Sequence, residues 1–515
     1  MSLFRAIATV GGLTMISRVA GFVRDLLIAR YLGAGPIADA FFVSLRLPNF
    51  FRSLFAEGAF TAGFLPLFSR TEAKEGRAAA QHFAERALSI LLFATLGFTL
   101  VAQVAMPLVI LVLAPGFVGD PLRFPLSVTL TIITFPYLLF VSLASLYGAV
   151  LNCFGRFFGM AATPILLNLV MIAGMLWLTP YTPNAGYALA WSTLIGGILQ
   201  FLWLAWDARR AGLDLRLRRP IINQKVRRLF RLVLPAALGA GATQVNLVVG
   251  LILASLLPAG AVSYLFYADR INQLTVGVVG TAIATALLPT LSSQLARDNH
   301  AVARYTQNRA MEFGLLLALP SCAALLVIPF PIISILFQRG EFDLATARET
   351  ANTLFAYAFG LPGFVLSRTL TPSFHARQDT RTPVKLAMVS IVVNIGLGLA
   401  LLPVLAHAGL ALATAMAANV NTLLLLITLY RRGLWEADDR LKRRSLLILL
   451  AAAAMALVLF LLDRLALTDW YAGDFWYRSA ALIVLVGSGL AVYLACVMLF
   501  GATRPSEWKA ILRRE

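Results

Sequence analysis

Apolar runs of about twenty residues recur along the whole of this chain, and that recurrence limits its fold more than any other feature. Each run is long enough to cross ~30 Å of hydrocarbon as a helix. Inside hydrocarbon every backbone N–H and C=O must be satisfied by protein, which a helix does within itself. About fourteen such spans can be read at this length scale. Six lie near 10–31, 36–58, 88–113, 126–152, 159–179 and 184–206. Six more lie near 232–257, 262–291, 311–337, 351–374, 384–405 and 407–430, with a last pair at 445–463 and 478–500. Charged residues make up only 13% of the 515, against about a quarter in soluble domains. The fold class expected is an all-α polytopic membrane protein. The first residues resemble a signal peptide weakly, because Arg18 interrupts the apolar region; they are read as part of the first span.

Charge between the spans sets the expected orientation. The 209–231 connection carries Arg209, Arg210, Arg216, Arg218, Arg219, Lys225, Arg227, Arg228 and Arg231 against Asp214. The 431–444 connection and the tail are basic too, whereas 180–185, 257–262 and 403–408 hold no Lys or Arg. Basic connections stay in the cytoplasm, so both termini are expected there. The net charge of +19 therefore reads as loops beside anionic lipid and not as a nucleic-acid surface.

The chain also repeats itself. LeuPheArg at 3–5 recurs at 229–231, Arg46 with Asn49 resembles Arg270 with Gln273, and LeuPro at 65–66 recurs at 288–289. AGYALA at 185–190 matches AGLALA at 408–413, and ArgArg at 209–210 matches 431–432. A six-span repeat keeps its orientation in the membrane, and substrate then sits at the centre between the halves. The expected division is 1–222 and 223–432 as six-helix lobes, with 433–515 as two additional helices and a cytoplasmic tail.

The first two spans carry the chemistry. Between 18 and 57 lie Arg18, Arg24, Asp25, Arg30, Asp39, Arg46, Arg52 and Glu57, although one mid-bilayer charge costs roughly 3 kcal/mol on insertion scales. Arg46, Asn49, Ser53 and Glu57 share one helical face, with Asp39 close to it and Pro48 bending the helix beside Asn49. Arg18 and Asp25 share a face of the first span, with Arg24 alongside. The second half adds Asp269 and Arg270. Internal Asp–Arg and Glu–Arg pairs explain the acids but leave an excess of arginine. Planar, permanently charged guanidinium forks suit a phosphate or diphosphate. Arg24, Arg52 and Arg270 are expected to converge on it, with Asp39 and Glu57 orienting or gating them. Replacing one of the three is expected to cost function and not stability.

Other chemistries find no support. Cys153, Cys322 and Cys496 lie apart in apolar runs, and His82, His300, His375 and His407 are scattered. No nucleophile–base pair and no metal cluster can be assembled, so no enzyme, cofactor or metal is expected. Gly33 and Gly35 read as ordinary turn glycines, since no GxxxxGK[ST] follows.

SRVAGFVRD at 17–25, ADAFFVSLRLPNFFRSLFAEGAF at 38–60, YADRINQL at 267–274 and ARQDTRTP at 376–383 resemble the MurJ (MviN) lipid II flippase family. That family falls within the multidrug/oligosaccharidyl-lipid/polysaccharide exporter superfamily. The resemblance implies two six-helix lobes around a cationic cavity used by alternating access. It also implies that the last two helices line a groove for the lipid tail. It places substrate-binding roles on Arg18, Arg24, Asp39, Arg52 and Arg270, and accessory cavity or gate roles on Asp25, Asn49, Ser53 and Glu57. The implied cargo is the undecaprenyl-diphosphate-linked precursor of peptidoglycan, moved from the inner to the outer leaflet. Membrane lipids and cell-wall synthesis or division proteins are the implied partners. Some members bind sodium, but here the seventh span offers Asn246 without a carboxylate, which leaves membrane potential or another coupling ion open. A related polysaccharide-lipid or drug exporter, and a non-transport scaffold of the division machinery, are the alternatives.

Overall fold

The protein is described by a computed structural model covering residues 3–55, 59–221, 223–465 and 475–502. Among these residues every regular element is helical, and they fall into two compact units.

The first unit runs to Ser263 and includes Arg339–Phe342. It holds α1 (Leu3–Leu32), α2 (Pro36–Phe55), α3 (Ala59–Glu75), α4 (Arg77–Val104) and α5 (Met106–Leu113). It continues through α6 (Arg123–Thr134), α7 (Tyr137–Cys153), α8 (Phe158–Ala173), α9 (Ala185–Arg210) and α10 (Gln224–Ser255). α1 packs on α8, α2 on α6, α7 on α9 and α3 on α10. Two spans read as continuous in the sequence are broken. α4 gives way to α5 with Pro107 in the new first turn, and α6 gives way to α7 at Pro136. Proline cannot donate to the preceding turn, so each break falls where a helix can restart at no cost in hydrogen bonds.

α3 was not foreseen, because FLPLFSRTEAKE is too polar to read as a span. Its signal was aromatic spacing. Phe60, Phe64 and Phe68 lie four apart and are buried, with ring centroids 5.4 and 5.6 Å apart, and Phe64 stacks on Phe83 of α4 at 5.4 Å.

The basic connection after α9 is bound in place as an extended strap along α4. Arg77 donates to Ala211 O at 3.1 Å and Gln81 to Asp214 O at 2.8 Å. Glu85 accepts from the Arg216 N–H and from the Arg218 guanidinium, and Ser89 Oγ accepts from the Arg218 N–H at 2.8 Å. Arg77, Gln81, Glu85 and Ser89 are four apart and so share one face of α4. Leu213 and Leu215 point into the core between them.

The second unit comprises Tyr264–Gln338 and the residues from Asp343 on. Its helices are α11 (Ala261–Ala296), α12 (His300–Val327), α13 (Pro329–Phe337), α14 (Leu344–Ala358) and α15 (Leu361–His375). α16 (Arg381–Arg431), α17 (Asp439–Leu465) and α18 (Phe475–Leu499) complete it. α16 holds two spans joined at Ala406, where φ is 45° and the helix breaks. The order of long helix, short helix and two further helices in α4–α7 returns in α12–α15. Their starts are displaced as the sequence repeats are, to within about one residue, and α13 likewise opens on a proline. Helical repetition therefore underlies the sequence matches. Contact groups α10 with the first unit and α17–α18 with the second, whereas the repeat counted α10 with the second half and the last pair alone.

One ion cluster ties α17 to α12. Glu312, 8% exposed, accepts from Arg309 and Arg444, with Arg440 3.4 Å away, and Arg309 also reaches Asp438. Ile448, Ala451, Met455 and Leu459 of α17 then pack with Ala481 and Leu485 of α18.

Candidate substrate-binding residues

The first polar centre forms between α1 and α8. The Arg24 guanidinium donates from Nε and Nη2 to Asp25 Oδ1 at 3.1 and 2.7 Å, and from Nη1 to Asn168 Oδ1 at 2.9 Å. Asn168 Nδ2 donates in turn to Ser17 O at 3.1 Å. A Cβ on Gly21 would stand 3.4 Å from Asn168 Nδ2, so the glycine leaves room for that side chain. Asp25 and Asn168 are each 4% exposed. Asn168 was missed by sequence reasoning, since a lone asparagine in an apolar run carries no pattern.

This arrangement corrects the expected partners of Arg24. Arg24 meets not Asp39 but the acid next to it in the chain; Glu57, the other acid expected to orient it, lies outside the described residues. Three of the five guanidinium N–H groups are engaged, which leaves Arg24 able to donate to a further oxygen. Arg18, one turn and a half earlier, is exposed and has no ion pair among the described residues.

The second centre is Asp39 in α2, and among the described residues no arginine forms an ion pair with it. Asp39 is 0% exposed. Its carboxylate accepts from the Gly260 N–H at 2.7 Å, the Ser263 N–H at 2.9 Å and Ser263 Oγ at 2.6 Å. These donors open α11, whose first N–H groups have no partner within the helix. Asp39 therefore supplies a cap from a distant part of the chain, and a negative charge suits the positive end of the helix dipole. Ala38 to Ser44 are all buried around it.

Further along α2, Arg46 and Asn49 are exposed, and Arg52 Nε donates to Asn49 Oδ1 at 3.3 Å. Pro48 is buried within the helix. Ser53 lies on α2, and its side chain falls outside what the structure describes. In the second unit the Arg270 guanidinium lies over the Phe266 ring, 4.6 Å from its centroid, a cation–π contact. Asp269 accepts from Gln273.

The turn after α1 also differs from expectation. Gly33 has φ +60°, and a Cβ there would meet Glu341 O at 2.2 Å. Gly340, at φ +59°, would meet Arg30 O at 2.4 Å in the same way, and the Glu341 N–H donates to Arg30 O at 3.0 Å. Both glycines serve close backbone approach. Gly35, with nothing within 4 Å, is the ordinary turn residue.

The second unit contains an apolar cavity of about 310 Å³. Pro320 and Ala324 of α12, Ile332 of α13, Leu459 of α17, and Leu485 and Val497 of α18 are among its walls. A Cβ on Gly489 would lie 2.9 Å from Leu459 Cδ2, so glycine is what lets α18 close on α17 there.

Comparison with known proteins gives a consistent match. The family described as lipid II flippase MurJ matches residues 28–481. A probable lipid II flippase MurJ from Rhizobium meliloti (strain 1021) is 42% identical, covering 100% of this chain and 97% of that protein. A lipid II flippase MurJ from Burkholderia cenocepacia is 34% identical over 98% of this chain and 96% of its own length. Among solved structures, a lipid II flippase MurJ in an inward closed conformation superposes with a TM-score of 0.81 at 26% identity, covering 98% and 99% of the two chains. An inward-facing MATE family transporter of the MOP superfamily reaches 0.68 at 14% identity over 83% of this chain and 98% of its own, a likeness of fold alone.

Proposed function

Since the chain belongs to the lipid II flippase MurJ family, we propose that it moves lipid II between the leaflets of the bacterial inner membrane, with arginines of α1 and α2 receiving the diphosphate. One observation carries the assignment to these residues. Six arginines lie in α1 and α2 against Asp25 and Asp39 among the described residues, and Asp39 is occupied by the start of α11. The positive excess is what an anionic headgroup requires. Arg18 is exposed, Arg24 keeps free N–H groups, and Arg52 is oriented by its bond to Asn49.

Arg18, Arg24 and Arg52 take the phosphates in this reading, and Arg270 of α11 keeps the substrate-binding role that the family resemblance gives it. Asp25 and Asn168 aim Arg24. Asn49 aims Arg52, and Ser53 and Glu57 keep the accessory cavity or gate roles expected of them from the sequence. Asp39 acts through the backbone it caps and is a positioning residue. Movement runs from the inner to the outer leaflet by alternating access, the basic connections lie in the cytoplasm with both termini, and membrane potential acting on the arginines supplies the drive. The apolar groove of the second unit receives part of the lipid tail. Cell-wall synthesis enzymes are the partners this reading assigns.

The test is a flipping assay in proteoliposomes, with fluorescent lipid II scored by an impermeant quencher. Arg18→Ala and Arg52→Ala should abolish transport, and the lysine variants should restore part of it, because lysine keeps the charge and loses the fork. Both variants should also fail to support growth when the native flippase is depleted. Full growth on either variant would favour a scaffold role and end the anion-binding assignment.

A further inference from the structure

We propose that Arg478 anchors an anion at one end of the apolar groove, taking the diphosphate of a polyprenyl lipid whose chain lies in that groove. The proposal rests on the lipid-flippase reading above and adds to it a headgroup site away from α1 and α2.

Arg478 lies in the first turn of α18. Seven residues separate it from Leu485, a groove wall, so the two share a face about 10 Å apart along the axis. On α13, Ser334 follows Ile332, another groove wall, by two residues. Arg478 Nη2 donates to Ser334 O at 3.3 Å, to Ser334 Oγ, and to Gln338 Oε1 at 2.6 Å. Both helices thus bring this guanidinium to the same end of the groove. By the orientation argued from the basic connections, that end faces the outer leaflet.

The charge is what calls for a ligand. Every acceptor on Arg478 is neutral, and no carboxylate reaches it among the described residues. Its Nε is buried and has no hydrogen-bond partner. The contrast within the unit is sharp, because Arg309, Arg440 and Arg444 all share Glu312. A half-buried guanidinium at the end of a span, whose acceptors are all neutral, is open to an anion. Guanidinium donates readily to phosphate oxygens, and here Nη1 remains to donate. An apolar groove ending in an unneutralised fork fits a long chain carrying a phosphate at one end. Continuity with the transported cargo selects the polyprenyl diphosphate over bulk phospholipid as the occupant.

The experiment uses the full chain in phosphatidylcholine nanodiscs. Two probes carry a diazirine on the terminal isoprene, a polyprenyl diphosphate and the matching polyprenol. The diphosphate probe should label residues 485–497, and Arg478→Gln should lower that yield at least about tenfold, the loss expected of a charge-assisted contact. Polyprenol labelling should not change. Arg478→Lys should fall between. A Ser334→Ala/Gln338→Ala double variant keeps the guanidinium and frees it, so labelling should hold or rise. Equal loss of both probes in Arg478→Gln would make the residue a packing element, and no loss of either would remove it from binding; each overturns the proposal. Displacement of the probe by equimolar phosphatidylglycerol would assign the groove to bulk lipid and overturn it too. If neither probe labels the groove while fluorescent lipid II still flips, the groove site falls and the flippase reading stands. Loss of flipping in the wild-type chain would instead sink that reading.

Discussion

Arg24→Ala should destabilise the protein, contrary to what an arginine placed for substrate alone would do. The magnitude follows from its two kinds of contact. The bond to Asn168 joins α1 to α8, and interhelical polar contacts in membranes average about 0.6 kcal/mol with a maximum near 1.7, since unfolded helices find other partners. A charged donor belongs in the upper part of that range, so Asn168→Ala should cost about 1 kcal/mol. The bonds to Asp25 join neighbours on one helix, and much of that interaction survives when the helices separate. Removing the guanidinium nevertheless takes away two charge-assisted bonds from a 4% exposed carboxylate, adding about 1 kcal/mol. Arg24→Ala should then cost about 2 kcal/mol, and Arg24→Ala/Asp25→Asn should recover about half of that. Equilibrium unfolding of the purified chain in mixed micelles of increasing SDS measures all four proteins. Arg24→Ala at wild-type stability, or a double variant no better than the single, would refute the reasoning and return Arg24 to a purely substrate-facing role.

Arg18→Ala should differ, losing transport with stability within about 0.5 kcal/mol of wild type in the same unfolding assay, because its side chain is exposed and has no ion pair among the described residues. Gly33→Ala should lower stability by more than about 1 kcal/mol, since the residue needs positive φ and its Cβ would strike a carbonyl oxygen; unchanged unfolding would refute the close approach. In the 376–380 loop, the Thr382 hydroxyl and backbone N–H, with Arg432, hold the Asp379 carboxyl well below the usual range. A depressed pKa contributes stability above the unfolded value near 4 that is lost as pH falls through the folded value. Hydrogen exchange in 376–383 should therefore be flat between pH 7 and 5 after correction for intrinsic rates, and rise only below about 4. A cysteine at Tyr181 should react with an impermeant reagent from outside while one at Arg216 does not; the reverse would overturn the assigned orientation.

The sequence by itself determined the fold class, because twenty-residue apolar stretches leave the backbone no alternative to helices. It also determined the repeat, the break at Ala406 between two spans, and the excess of arginine in α1 and α2, all properties of composition and local period. What it could not reach was the partner of each charge. Asp39 was read with the arginines because they are close in the chain, yet its carboxylate is taken by donors more than two hundred residues away. Asn168, Glu85 and Glu312 carried no motif, and each became a centre only when another helix or strap was laid against it. The same holds for Gly33, a turn glycine in sequence and a backbone contact in space. Periodicity acts within one helix and is visible in one segment; electrostatic and hydrogen-bond satisfaction in a low-dielectric interior is decided between segments, by whichever group the packing brings within 3 Å.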